Sequence, residues 1–133
     1  MRPRGRRGNA AVEFALTLPL LLAVVSAILD YGWYLTQSGS VMHAVREGAR
    51  MGATIDQDDG PEGEATDQTE AALRGLGITC EDGCSVEATL GEVAGLTSIT
   101  VRAEVGFEPL MGIVPTPANL LGSMTMALED QEG

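Results

Sequence analysis

Arg7-Gly8-Asn9-Ala10-Ala11-Val12-Glu13-Phe14-Ala15-Leu16 opens the stretch that decides the fold. Upstream of it stand Arg2, Arg4 and Arg6, and downstream no charged residue occurs from Phe14 until Asp30. Glu13 is therefore a lone carboxylate at the mouth of an apolar run. An ionised acid at the centre of a membrane helix costs about 2.5–3.5 kcal/mol, and less near the helix end, so its presence asks for a reason. Continuing past Asp30 through Tyr31, Trp33, Tyr34 and Leu35 gives 22 residues from Phe14. As a helix this run reaches roughly 33 Å, enough to span a bilayer core. The aromatic rings cluster at its far end, where amphipathic rings favour the lipid–water boundary, and the arginines flank its near end. That asymmetry puts the N-terminus in the cytoplasm and the chain beyond about Leu35 outside. Pro19 lies inside the run, a kink that membrane helices tolerate.

Three readings of this segment are open: a helix cut at its entrance that stays embedded, an uncut single-pass anchor, and a secretory signal with Val25-Ser26-Ala27 as its cleavage site. A charge at the entrance and a helical pattern that continues past Ala27 speak against the third. For the first, the argument is electrostatic. A cut between Gly8 and Asn9 creates an ammonium group at Asn9, and Glu13 lies four residues on, one helical turn away on the same face. Amine and carboxylate then neutralise each other within a subunit, or between subunits, where the pairing sets axial register. Gly8 suits the cut because it has no side chain to obstruct an extended backbone in a protease cleft. Taken alone, Glu13 also suits the positive end of a helix dipole. The combination of basic leader, Gly8, Glu13, Phe14 and an immediate apolar run singles out the processing reading.

The segment Arg7 to Leu16, followed by Leu18-Pro19-Leu20-Leu21-Leu22, resembles the TadE-like family of the tight-adherence pilus system. A second similar block is Ala44-Val45-Arg46-Glu47-Gly48-Ala49-Arg50-Met51-Gly52-Ala53, and a third, looser one runs from Thr100 to Leu110. The resemblance implies a minor pilin or pseudopilin that helps to assemble a Flp-type IV pilus for adhesion or secretion. It implies Gly8 and Asn9 as the pair flanking the bond cut by a prepilin peptidase, and Glu13 and Phe14 as the recognition pair. It further implies other Tad pilins and minor pilins, an inner-membrane assembly platform and membrane lipid as partners, in a hetero-oligomer or filament. The location it implies is the bacterial inner membrane, with the C-terminal domain exported and possible incorporation into a cell-surface pilus. Major Flp pilins resemble this start but are far shorter, so the long exported domain favours an accessory subunit.

The fold expected is α+β and pilin-like: a long N-terminal membrane-spanning helix whose outer half packs on a small antiparallel sheet. Residues 1–8 form a basic leader, 9–54 the long helix and 55–133 a small exported domain. Val41, Met42, Ala44, Val45, Ala49 and Met51 recur at helical spacing, and small residues at Ala44, Gly48, Ala49, Gly52 and Ala53 permit close packing. The helix is expected to weaken near Ser38-Gly39-Ser40. Asp56 to Glu64 reads as a solvated acidic loop. It departs from a calcium loop in lacking an acid at the fifth position and in having Pro61 where such a loop continues. Thr66 is expected to cap a short helix running to Leu76, ended by Gly77. Strands are expected at Ser85 to Leu90, at Ile99 to Phe107, where apolar and polar residues alternate, and at Met124 to Leu128, with a proline-marked loop between the last two.

The chain has 133 residues and a net charge of −11, with half of its eight basic residues before Gly8 and no lysine. So acidic a body excludes nucleic-acid binding, which requires a basic face. Aromatic content of 4% leaves the core to Val, Ile, Leu and Met, so a domain this small is marginal without staples. Cys80 and Cys84 enclose three residues, a spacing that permits a disulfide across a turn in an oxidising exported compartment. Zinc would need two ligands beyond these cysteines, and His43, the one histidine, reads as a helix-surface residue. No nucleophile–base grouping and no phosphate loop occurs, so no enzyme activity, cofactor or metal is expected.

Overall fold

The computed structural model describes residues 5–80 and 83–129. Its architecture is α+β: a long N-terminal helix α1 (Gly5–Ala53), a short 3-10 turn (Gln57–Asp59), helix α2 (Pro61–Gly75) and strands β1 (Cys84–Val93), β2 (Leu96–Gly106) and β3 (Asn119–Ala127). The strands form one antiparallel sheet in the order β1-β2-β3. The chain divides into two compact units, Met1–Trp33 with Glu108–Thr116, and Tyr34–Phe107 with Pro117–Gly133.

In the second unit the core is built from residues of α1, α2 and the sheet. Val101 pairs with Ala88 and Met124, and Ile99 pairs with Leu90 and Met126, so one face of the sheet is apolar across all three strands. On β2 burial alternates from Ile99 onward: Ile99, Val101, Ala103 and Val105 are buried, whereas Arg102 and Glu104 are exposed. The outward face is polar, with Thr100 and Thr125 hydroxyls 2.9 Å apart and Asn119 Nδ2 donating to Glu104 at 2.6 Å. Val41, Ala44, Val45 and Ala49 of α1 are fully buried in this core. Gly122 of β3 lets the helix approach, since a Cβ there would lie 3.1 Å from both Val41 Cγ1 and Val45 Cγ2. The rings of Tyr34 and Phe107 meet edge to face at 5.2 Å. The Glu129 N–H donates to the Ala53 carbonyl at 2.9 Å, satisfying an acceptor that the end of α1 leaves open.

Three local expectations are corrected. Helix α1 runs unbroken through Ser38-Gly39-Ser40, and the Ser40 hydroxyl donates to the Thr36 carbonyl at 3.2 Å inside the helix rather than competing with it. The acidic stretch from Asp56 to Glu64 is not one loop. Gly60, at φ 74°, turns the chain, and Pro61 opens α2 as its first residue, with Glu62 and Glu64 in the first turn where the helix dipole favours negative charge. Thr66 consequently lies inside the helix, its hydroxyl donating to the Glu62 carbonyl at 2.8 Å, and caps nothing. The end of α2 agrees with the sequence: Gly77 adopts φ 80°, its N–H bonds Arg74 O, and Ile78 N–H bonds Leu73 O at 2.9 Å, the paired closure of a Schellman motif.

Candidate functional site

Asn9, Glu13 and Phe14 lie on α1 with their side chains exposed, and Gly8 also falls within the helix. Asn9 and Glu13 are one turn apart, so they share a face. The leader's first four residues lie outside the described ones. The Gly8–Asn9 bond is thus in helical backbone, about one and a half turns before the apolar run starts at Phe14.

From Phe14 to Leu22 that run is uncovered on every side. Leu20, Leu21 and Leu22 are consecutive, point in different directions, and are all more than half exposed. A helix apolar all round needs a surrounding apolar medium or partner. Helix α1 is long and apolar enough to cross a membrane. Thr17, the polar residue in its first half, donates its hydroxyl to the Phe14 carbonyl at 3.1 Å and so presents no open donor.

Asp30 is the feature that sequence reasoning passed over. It is fully buried. Oδ1 accepts the N–H of Met111 at 2.8 Å, and Oδ2 accepts the N–H of Gly112 at 3.1 Å and the hydroxyl of Ser26 at 3.4 Å. One turn of α1 and the segment Glu108–Thr116 thereby form a closed polar knot within the first unit. The Tyr31 hydroxyl adds a bond to the Pro115 carbonyl at 3.0 Å. Gly112 has φ 65°, a left-handed conformation that turns two successive N–H groups onto one carboxylate. The available signals were the acid interrupting an apolar run, Ser26 four residues before it, and a glycine within an uncharged loop about 80 residues away.

Cys80 and Cys84 form a disulfide. His43 is exposed on α1. Among the described residues no three His, Cys, Asp or Glu side chains gather in a way that could hold a metal ion.

Residues 8–50 match the family model described as TadE-like protein. The chain is TadE-like over that span. The match begins at Gly8 and covers Asn9, Glu13, Phe14, the whole apolar run and most of the buried stripe of α1. No curated protein and no solved structure matches the chain. A TadE-like helix with an uncovered apolar half fits a membrane-anchored protein.

Proposed function

We propose that this TadE-like chain is a non-enzymatic minor pilin or pseudopilin of a Tad (Flp-type) pilus. The observation that carries the reading is the first half of α1: an uncovered apolar helix whose entrance presents Asn9, Glu13 and Phe14, all within the TadE-like match. The chain inserts with its arginine-rich end in the cytoplasm and its sheet exported. Prepilin peptidase adds water across the Gly8–Asn9 bond, leaving a carboxylate on Gly8 and an ammonium group on Asn9. The first helical turns must unwind for this, which helix ends do readily because their N–H groups have no partners within the helix. The new ammonium group then stands one turn from Glu13 and compensates its charge at the lipid boundary. The apolar helix subsequently leaves the membrane for a bundle of similar helices from other Tad pilins at the inner-membrane assembly platform.

The helical backbone at Gly8 favours a second reading, an uncut anchor that displays the sheet as a binding domain in the cell envelope. N-terminal sequencing of the protein recovered from its own cells decides between them: Asn9 supports maturation, Met1 the permanent anchor, and Ile28 release by signal peptidase. Gly8→Leu blocks conversion to the shorter form under the first reading. Equal masses for the parent and the variant, in cells that hold the peptidase, would falsify it.

A further inference from the structure

We propose that the segment Glu108–Thr116 is a membrane finger, with Leu110, Met111 and Ile113 seated in lipid beside Asp30. The inference rests on α1 spanning the membrane, and does not depend on cleavage or on a pilus.

Depth is the first argument. From Phe14 to Asp30 a helix climbs about 24 Å, whereas the hydrocarbon core is about 30 Å thick. If Phe14 sits at one boundary, Asp30 is still short of the other, where water is scarce and an acid must find its donors in protein. Those donors are the Met111 and Gly112 amides at 2.8 and 3.1 Å, so the loop occupies Asp30's depth. The Tyr31–Pro115 bond pins a second point of the loop at the same level.

The loop's chemistry is the second argument. From Pro109 to Ala118 it carries no charge. Leu110, Met111 and Ile113 are 60%, 54% and 59% exposed, an unusual display for a short loop in water. Lipid-exposed irregular backbone does not occur inside the hydrocarbon region, which puts the loop at its edge, where headgroups and water meet the remaining N–H groups. Pro109, Pro115 and Pro117 contribute none, and the N–H groups of Met111 and Gly112 are used on Asp30. The finger thus extends the apolar surface of the span, and its occupant is lipid at the boundary.

The test uses the full chain with Trp33→Phe, carrying single tryptophan reporters in phospholipid vesicles with acyl chains brominated at shallow or deep positions. Leu22→Trp reports the span and Ala94→Trp the β1–β2 turn, which is expected in water. Ile113→Trp is expected to lose emission in the shallow-brominated lipid and to resist aqueous iodide better than Ala94→Trp does. Leu110→Trp repeats the measurement from the other side of the Asp30 contact, should Ile113→Trp disturb the loop. Iodide quenching of both loop reporters to the level of Ala94→Trp, with Leu22→Trp quenched by lipid, overturns the finger and leaves the span standing. Protection from both quenchers means that protein covers the loop, and also overturns it. Failure of brominated lipid to quench Leu22→Trp removes the span itself, and the finger with it.

Discussion

Asp30 Oδ1 and the Met111 amide lie 2.8 Å apart across 81 residues of sequence, and this bond closes a polar knot beside the apolar run of α1. Without Asp30 the loop would leave two adjacent amides unpaired. Without the loop the helix would carry a bare acid at the end of its apolar run. Each element supplies what the other needs, which explains how an acid persists in a segment built for lipid.

Removing that acid should loosen the loop before it affects the helix. Asp30→Ala strands the Met111 and Gly112 N–H groups, at about 1–3 kcal/mol for each unsatisfied group. Hydrogen exchange at those two amides should accelerate roughly tenfold to a hundredfold. Asp30→Asn keeps one acceptor and turns an NH2 toward a donor, so its effect is intermediate. Ser26→Ala removes only the 3.4 Å bond and should change exchange least. Equal effects for all three would mean that the carboxylate does not hold the loop.

The contact of α2 with α1 depends on the absence of a side chain at Gly48. A Cβ there would collide with the Thr69 hydroxyl and lie 2.6 Å from the Ala65 carbonyl, which is backbone and cannot rotate away. Gly48→Ala should therefore destabilise the protein by about 1–3 kcal/mol despite the better helix propensity of alanine. At Gly52 a Cβ would lie 2.6 Å from Ile99 Cδ1, the tip of a flexible chain, and 2.9 Å from Ala65 Cβ, with the nearest backbone atom at 3.2 Å, so Gly52→Ala should cost less than Gly48→Ala. Gly63, on α2, has nothing within 4 Å of its Cβ position, and Gly63→Ala should stabilise by about 0.5–1 kcal/mol. Thermal unfolding of the full chain in detergent, measured by near-ultraviolet circular dichroism, would show the midpoints in the order Gly63→Ala, parent, Gly52→Ala, Gly48→Ala.

Strands β1 and β2 are joined by Ala94 and Gly95 at φ 55° and 84°, the two left-handed positions of a type I′ turn. Alanine is strained at the first of these by about 1–2 kcal/mol, which glycine avoids and asparagine reduces. Ala94→Asn should raise the denaturation midpoint by an amount corresponding to about 1 kcal/mol. Ala94→Val, β-branched at the same φ, should lower it.

Cys80 and Cys84 close a small ring, so the chain-entropy gain is modest, about 2 kcal/mol. Reduction, or Cys84→Ser, should lower stability by that amount and loosen the start of β1, where Cys84 pairs with Val105. The measurement is denaturant unfolding of the full chain with and without reductant. An unchanged midpoint would show that the bridge constrains nothing that folding uses.

The parts of this molecule legible in its sequence are those set by periodic burial. Alternation from Ile99 to Phe107 reflects a strand with one face in the core, and the spacing of Val41, Ala44, Val45 and Ala49 reflects a helix packed along one stripe. Gly77 was legible as a helix end because a left-handed residue must close the Schellman motif. Gly60-Pro61 misled because the same pair can break one helix or start another, and only the packing of the residues beyond Pro61 decides between the two. Asp30 was visible as an anomaly, but its partners were not, since backbone amides carry no sequence signature and the loop that delivers them lies 81 positions away.

The proposed assembly role would rest on Glu13, and an uncharged replacement tests it. Glu13→Leu removes an acid from the lipid entrance and should strengthen retention of the helix in the bilayer, since the charge costs up to about 2.5–3.5 kcal/mol at the centre and less at the boundary. If Glu13 serves the ammonium group of a matured Asn9, the same change deprives that group of its partner and removes the registering contact between subunits. Membrane-bound protein should then rise while the protein recovered in sheared pili falls, a ratio read by quantitative mass spectrometry of the two fractions. Peptide mass mapping of the membrane fraction distinguishes a block in assembly, where the chain begins at Asn9, from a block in processing, where it begins at Met1. An unchanged ratio, with Asn9 at the start of both pools, would remove Glu13 from the assembly mechanism.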